Sequence, residues 1–249
     1  MDSDIQQDLA QTLMRQLISA YQTIQPSTYD KIMHKLRFFN PLKITKNRKF
    51  GPIILASVNL LIHYLKHKQI ISPQNFRKFF TLNIRNLTEK RFVNLISYAF
   101  THVSLPHLLS NILLFYGYSD NISKLLGIKK MFLIYLTGAL IGGVILYWQQ
   151  KKNRDQSNFN GSNAGYTALA GYTAMLLQNY NRQMVGINIP AWFECLISVL
   201  LCISQQSNDF KNKGVIEITG FLTGILLYYI QQFIPQKQYL KRDLVISII

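Results

Sequence analysis

Apolar residues along this chain fall into six blocks, each followed by a polar connection, at 51–65, 105–118, 131–148, 164–177, 185–203 and 215–234. A membrane-spanning helix wants about 20 apolar residues, with about 17 at the lower end. The third, fifth and sixth blocks meet that length unaided. The first, second and fourth need polar flanking residues to complete them. Blocks of this length, separated by polar connections, predict helices rather than strands. The expected fold class is therefore all-α: a polytopic membrane protein built as a bundle of six transmembrane helices.

Local signals refine the picture. Ser104 is placed to cap the second helix and Pro106 sits in its first turn, where a missing N–H costs nothing. A polar turn with Gly127 is expected across 119–130, and a polar loop across 149–160. The connection at 66–101 mixes five phenylalanines with Arg and Lys, which suits short helices half-sunk in the membrane interface. Residues 2–25 read as an amphipathic helix, with Leu9, Leu13 and Leu17 near one face. Pro26 and Pro41 lie in a basic connector that runs to residue 49. The expected organisation is an N-terminal amphipathic helix and connector at 1–49, a six-helix membrane domain at 50–234, and a short tail at 235–249.

Charge changes this picture only in detail. The net charge is +16, yet only 15% of residues are charged. Lys and Arg gather at the ends of apolar blocks (Lys43, Lys46, Arg48 and Lys49; Lys129 and Lys130; Lys151, Lys152 and Arg154) rather than in a nucleic-acid-binding motif. Such a pattern points to membrane lipids with anionic headgroups as partners, with bound phospholipid such as cardiolipin as the one expected companion and no nucleic acid or small-molecule substrate. The basic residues divide too evenly between the two sides to fix orientation. Cys195 and Cys202 are seven apart in one expected helix, about 10 Å along its axis, too far for a mutual disulfide. The start of the chain, MDSDIQQDLAQTLMRQLISAYQ, lacks the basic start and apolar core of a secretory signal, and is too acidic for a matrix presequence. Targeting information is expected to be internal or uncleaved.

Chemistry concentrates in a few residues. His107 and Asn111 are four apart and share a helix face, and His102 lies just upstream. Polar groups at membrane depth normally face a bundle interior or a wet cavity. Small residues line the later helices: Gly138 and Gly142; Gly161 and Gly165; Gly220 and Gly224. Spacing of this kind permits close helix packing. His34, His63 and His67 show no paired ligand spacing, so no metal site is expected. Trp148 and Trp192 read as interfacial anchors, and Glu194 as lying near an interface.

In this pattern the chain resembles the rhomboid superfamily of intramembrane serine proteases. That family carries H-x-x-x-x-H-x-x-x-N at its second helix, matched here by His102, His107 and Asn111. It has a glycine after that helix, matched by Gly127, then G-x-S-G opening a small-residue fourth helix and H-x-x-G-x-x-x-G in the sixth. The resemblance covers residues 50–234 and implies a six-helix core. It breaks at the catalytic pair. Alignment on Gly161 puts Asn163 at the nucleophile, and alignment on Gly220 and Gly224 puts Glu217 at the base. No histidine follows His107. A serine needs a base to remove its proton, and an asparagine amide is no substitute nucleophile. Ser162 is one residue away, turned about 100° around a helix.

The resemblance thus implies a catalytically inactive member. His102, His107, Asn111, Asn163 and Glu217 are expected to form a structural clasp between the second, fourth and sixth helices. Glu217 is read either as a neutral carboxyl bonded to Asn163 or as a carboxylate paired with His102 or His107. The expected role is a structural or accessory subunit of a multi-subunit membrane complex. Asn-, Lys-, Ile-, Tyr- and Gln-rich usage suggests an AT-rich genome, and large mitochondrial inner-membrane assemblies (respiratory or ATP synthase) recruit subunits of this kind. The alternative is a client-binding factor like the derlin branch, in the endoplasmic reticulum membrane; that branch favours Trp-Arg in the first long loop, where Val93-Asn94 stands here. An active protease with an altered dyad and an unrelated transporter are the remaining readings.

Overall fold

The computed structural model describes residues 50–178, 181–184, 187–204 and 210–233. The expected N-terminal amphipathic helix and the C-terminal tail lie outside these residues. Among the described residues, six helices make the bundle: α1 (Phe50–His67), α5 (Leu105–Leu126), α6 (Ile128–Asn153), α7 (Asn163–Leu176), α8 (Ala191–Ser204) and α9 (Phe210–Phe233). The connection between α1 and α5 folds into three short helices, α2 (Pro73–Phe80), α3 (Ile84–Thr88) and α4 (Asn94–Ser97), with a 3₁₀ turn at Tyr98–Phe100.

Local chemistry explains the boundaries. The Ser104 side chain accepts from His107 N, with Pro106 in the first turn of α5. Ser72 and Asn83 cap α2 and α3 in the same way. Two expected loops shrink. Helix α5 runs on to Leu126, and α6 follows after the single residue Gly127, whose φ of +96° suits glycine and strains any other residue. At its other end α6 continues to Asn153, into the expected polar loop. In both places the polar residues continue good helical stretches, and only Gly127 breaks one.

The block at 185–203 departs furthest from expectation. Its first part is a strand, β2 (Ile187–Pro190), paired antiparallel with β1 (Asn181–Met184). The helix begins only at Ala191 and has 14 residues. Pro190 has no N–H and a fixed φ, so it stands where the extended chain ends and the helix starts. The bundle is thus helical with one hairpin. Among the described residues, two helical stretches, Ile128–Asn153 and Gly214–Phe233, are long and apolar enough to cross a membrane by length and composition.

Helix α7 occupies the centre. Every residue from Asn163 to Ala174 is buried, and the helix packs against α5, α6, α8 and α9. Its small side chains let neighbours approach: a methyl group built on Gly220 or Gly224 would overlap the carbonyl oxygen of Ala164 or Ala168. The polarity is that of a protein solvated by lipid. Leu133, Leu222, Leu226 and Phe233 point outward, whereas Asn59, Ser119, Thr167 and Glu217 are buried.

Candidate functional site

The loop carrying His102 is held by a web of side-chain bonds to backbone. Thr101 Oγ1 donates to the carbonyls of Tyr98 (2.8 Å) and Phe80 (3.2 Å). Asn160 Nδ2 donates to Thr101 Oγ1 (2.8 Å) and to Phe80 O (3.0 Å). Lys66 Nζ, from the end of α1, donates to His102 O at 2.8 Å. A two-bond bridge between Leu82 and Phe159 ties the α2–α3 region to the segment before α7. These contacts press residues 101–102 against residues 160–162.

The polar cluster lies directly beneath. His102 Nε2 is 3.0 Å from Ser162 Oγ. Asn111 Nδ2 donates to Ser162 Oγ at 3.1 Å and to Asn163 Oδ1 at 3.0 Å, and lies 3.2 Å from His107 Nε2. Asn163 Nδ2 donates to Glu217 Oε1 at 2.5 Å. The two imidazoles meet edge to face, with centroids 5.3 Å apart. His102, Ser162 and Glu217 are fully buried, Asn163 and Asn111 nearly so, and His107 is half-buried. Burial pushes the His102 imidazole down to about 3, with His107, His63 and Lys66 adding to the effect, so the ring is neutral near pH 7.

All five polar residues singled out from the sequence therefore lie in one chain of contacts: His102 to Ser162, Ser162 to Asn111, Asn111 to His107 and Asn163, Asn163 to Glu217. The chain crosses α5, α7 and α9. The glycines lie around it. Gly138 and Gly142 of α6 face Ala164, Gly165 faces the Tyr135 ring, and Gly220 and Gly224 face the α7 backbone. Gly161 is in the loop before α7, within reach of His107 and Asn163.

The chemical capacity of this arrangement follows from counting hydrogens. An asparagine amide has two N–H donors. Those of Asn111 are directed at Ser162 Oγ and Asn163 Oδ1, with His107 Nε2 also in reach. Glu217 Oε1 accepts from the Asn163 amide, whose N–H is a far weaker acid than a hydroxyl.

Sequence reasoning missed the partner of Ser162. The expected helical step of about 100° does not describe Ser162, which stands before the first helical residue of α7. It does not say what Ser162 meets, because Ser162 is the N-cap of α7 and points back into the loop region, toward His102. The signal was present in the adjacency of Ser162 to Asn163 at a helix start. Lys66, Thr101 and Asn160, which fix the His102 loop, carried no motif at all.

Comparison with known proteins places this geometry in context. Residues 89–232 match the Rhomboid domain model, more than half of the chain. The chain is also similar to RHOMBOID-like protein 12, mitochondrial, of Arabidopsis thaliana, with 25% identity over 95 residues. That match covers 38% of this chain and 27% of the relative, so it spans well under half of either protein. The matched domain runs from the α3–α4 turn to the end of α9 and contains the whole polar cluster. The chain belongs to the rhomboid family.

Proposed function

We propose that this protein is a non-catalytic rhomboid whose polar cluster clasps the second, fourth and sixth helices of a six-span bundle, and that it serves as a structural or accessory subunit of a membrane complex. The observation that carries this reading is the 2.5 Å bond from the Asn163 amide to the Glu217 carboxyl. It joins the two positions where the resemblance puts the family's nucleophile and base; an asparagine amide is no nucleophile for this reaction, and a glutamate base needs a hydroxyl partner where Glu217 Oε1 meets that amide. A buried amide–carboxyl bond instead stabilises a fixed packing of α7 on α9. The mitochondrial name of the plant relative supports a mitochondrial membrane; the assembly proposed there is an inner-membrane respiratory or ATP synthase complex.

One observation favours a second reading. Ser162 Oγ and His102 Nε2 are within hydrogen-bond distance, and such a couple is the core of an activated serine. Against it stands Asn111, whose amide donates to the same oxygen and makes it less nucleophilic. A derlin-like client-binding role has no residue-level support in the described region.

Native purification from membranes in a mild detergent separates these readings. Co-migration with a defined set of other membrane proteins is the expected result, and recovery of a lone monomer would overturn the subunit role. Incubation with a model transmembrane substrate is expected to give no cleavage. Cleavage that disappears in Ser162→Ala would restore the protease reading.

A further inference from the structure

The end of α1 and the start of α2 enclose a cavity of about 380 Å³ that opens outward beside the His102 loop. Its wall includes His63, Lys66, His67 and Arg77, with Phe76 and Val103 on the apolar side. No carboxylate lines it. Among the described residues, the ion pairs join Glu89 to Arg85 and Arg91, and Asp120 to Lys124, and leave Lys66, His67 and Arg77 without an acidic partner. Lys66 is held in place by its bond to His102 O and by the Phe76 ring, 5.1 Å away. Lys66, Arg77 and two histidines thus line one space of a size that holds small ligands.

We infer that this cavity binds a phosphate group, supplied by an anionic phospholipid headgroup or by soluble phosphate. Arginine presents paired donors that match phosphate oxygens, and lysine adds a point charge. The cavity sits at the end of a helix whose outward face carries Ile53, Ile54, Leu60 and Leu61, so it lies at the boundary between acyl chains and headgroups. Exposed Val103 and Ile70 beside it offer an apolar surface to an acyl chain. Because Lys66 also bonds the His102 loop, the bound phosphate braces the loop that covers the polar cluster. The inference is independent of whether that cluster is catalytic.

The test is thermal unfolding of the full chain in mild detergent, titrated separately with phosphatidylglycerol, phosphatidylcholine and inorganic phosphate. Phosphatidylglycerol is expected to raise the midpoint saturably and phosphatidylcholine is not. In the double variant His67→Gln/Arg77→Gln, saturation is expected to need roughly tenfold more phosphatidylglycerol, the loss of a charge-assisted contact. The control pair Lys151→Gln/Lys152→Gln at the end of α6 is expected to behave as the parent. Stabilisation by inorganic phosphate alone, weakened in the double variant, would keep the site and assign it to a soluble ligand. Equal saturation in the parent and the double variant, or no response to either anion, would overturn the inference. If the double variant does not fold, photo-crosslinking of the parent with a diazirine-bearing phosphatidylglycerol decides. Label within residues 63–77 or at Val103 supports the site, and label confined elsewhere refutes it.

Discussion

At the scale of single residues, the Asn163–Glu217 pair was legible in the sequence because two family motifs fix both positions independently. The Ser162–His102 contact was not, because a helix cap takes its direction from a loop that no periodicity describes. The pair predicts an asymmetric mutational response. Glu217→Gln keeps an acceptor of the same shape for the Asn163 amide, so stability close to the parent is expected if the carboxyl is neutral. Glu217→Ala strands that amide in the bundle and is expected to cost about 1–3 kcal/mol. Denaturation of both variants in detergent checks the difference; equal losses would mean that the group is charged or that the bond is idle. His102 gives a second prediction. Its folded value is about 3, against 6.5 for an unperturbed histidine. Between those values the unfolded chain binds a proton that the folded chain refuses, so stability falls as pH drops below 6.5. Thermal unfolding midpoints measured from pH 7.5 to 4.5 are expected to decline more steeply in the parent than in His102→Gln. Parallel slopes would show that His102 titrates normally in the fold.

At the scale of elements, the periodic blocks located all six bundle helices, and failure came where the pattern is ambiguous. Block 185–203 is uniformly apolar, and such a run reads equally as helix or as strand. Only the fixed φ of Pro190 marks the change from β2 to α8. The α5–α6 junction was expected to be a turn because its residues are polar, but Asp120 and Lys124 form an ion pair along α5 and keep it helical. The small-residue seam between α7 and α9 was readable as spacing, although not which helix it would meet. It makes a firm prediction. A side chain at Gly224 would run into the Ala168 carbonyl and the Tyr172 amide nitrogen, which are backbone and cannot rotate aside. Gly224→Val is expected to separate α7 from α9, at a cost of at least about 1–3 kcal/mol. By contrast, substitution of Leu222, which faces outward two residues away, by Val is expected to change little. The comparison is read as detergent-resistant folded fraction, and equal yields of the two variants would refute close packing at this seam.

At the scale of the whole molecule, the contacts fix which helix ends share a side. Lys66 reaches the loop before α5, and Asn83 bonds Asn158 beyond the end of α6, so the α1–α5 connection and the α6–α7 loop lie together. Gly51, at the other end of α1, faces Ser123, Ile128 and Met131 at the α5–α6 junction, so that junction lies on the opposite side. Helix α9 descends past the cluster, since Glu217 near its start meets the first residue of α7. The polar cluster thus lies toward one end of the bundle, the end that carries α2, α3 and α4, which the proposed six-span arrangement puts at one membrane surface. The relation between sites is independent of which compartment that surface faces. Single cysteines placed at Lys68, Thr88 and Lys152, in a background without Cys195 and Cys202, are expected to react with an impermeant thiol reagent from one side of sealed vesicles. Cysteines at Lys129 and Arg182 are expected to react only from the other, because each lies one span away: α6 separates 129 from 152, and α7 separates the Ser162 loop from the hairpin. Labelling of positions 68 and 129 from the same side would mean that α5, the helix between them, does not cross. The six-span arrangement would then fail, and with it the membrane depth assigned to Asn163 and Glu217.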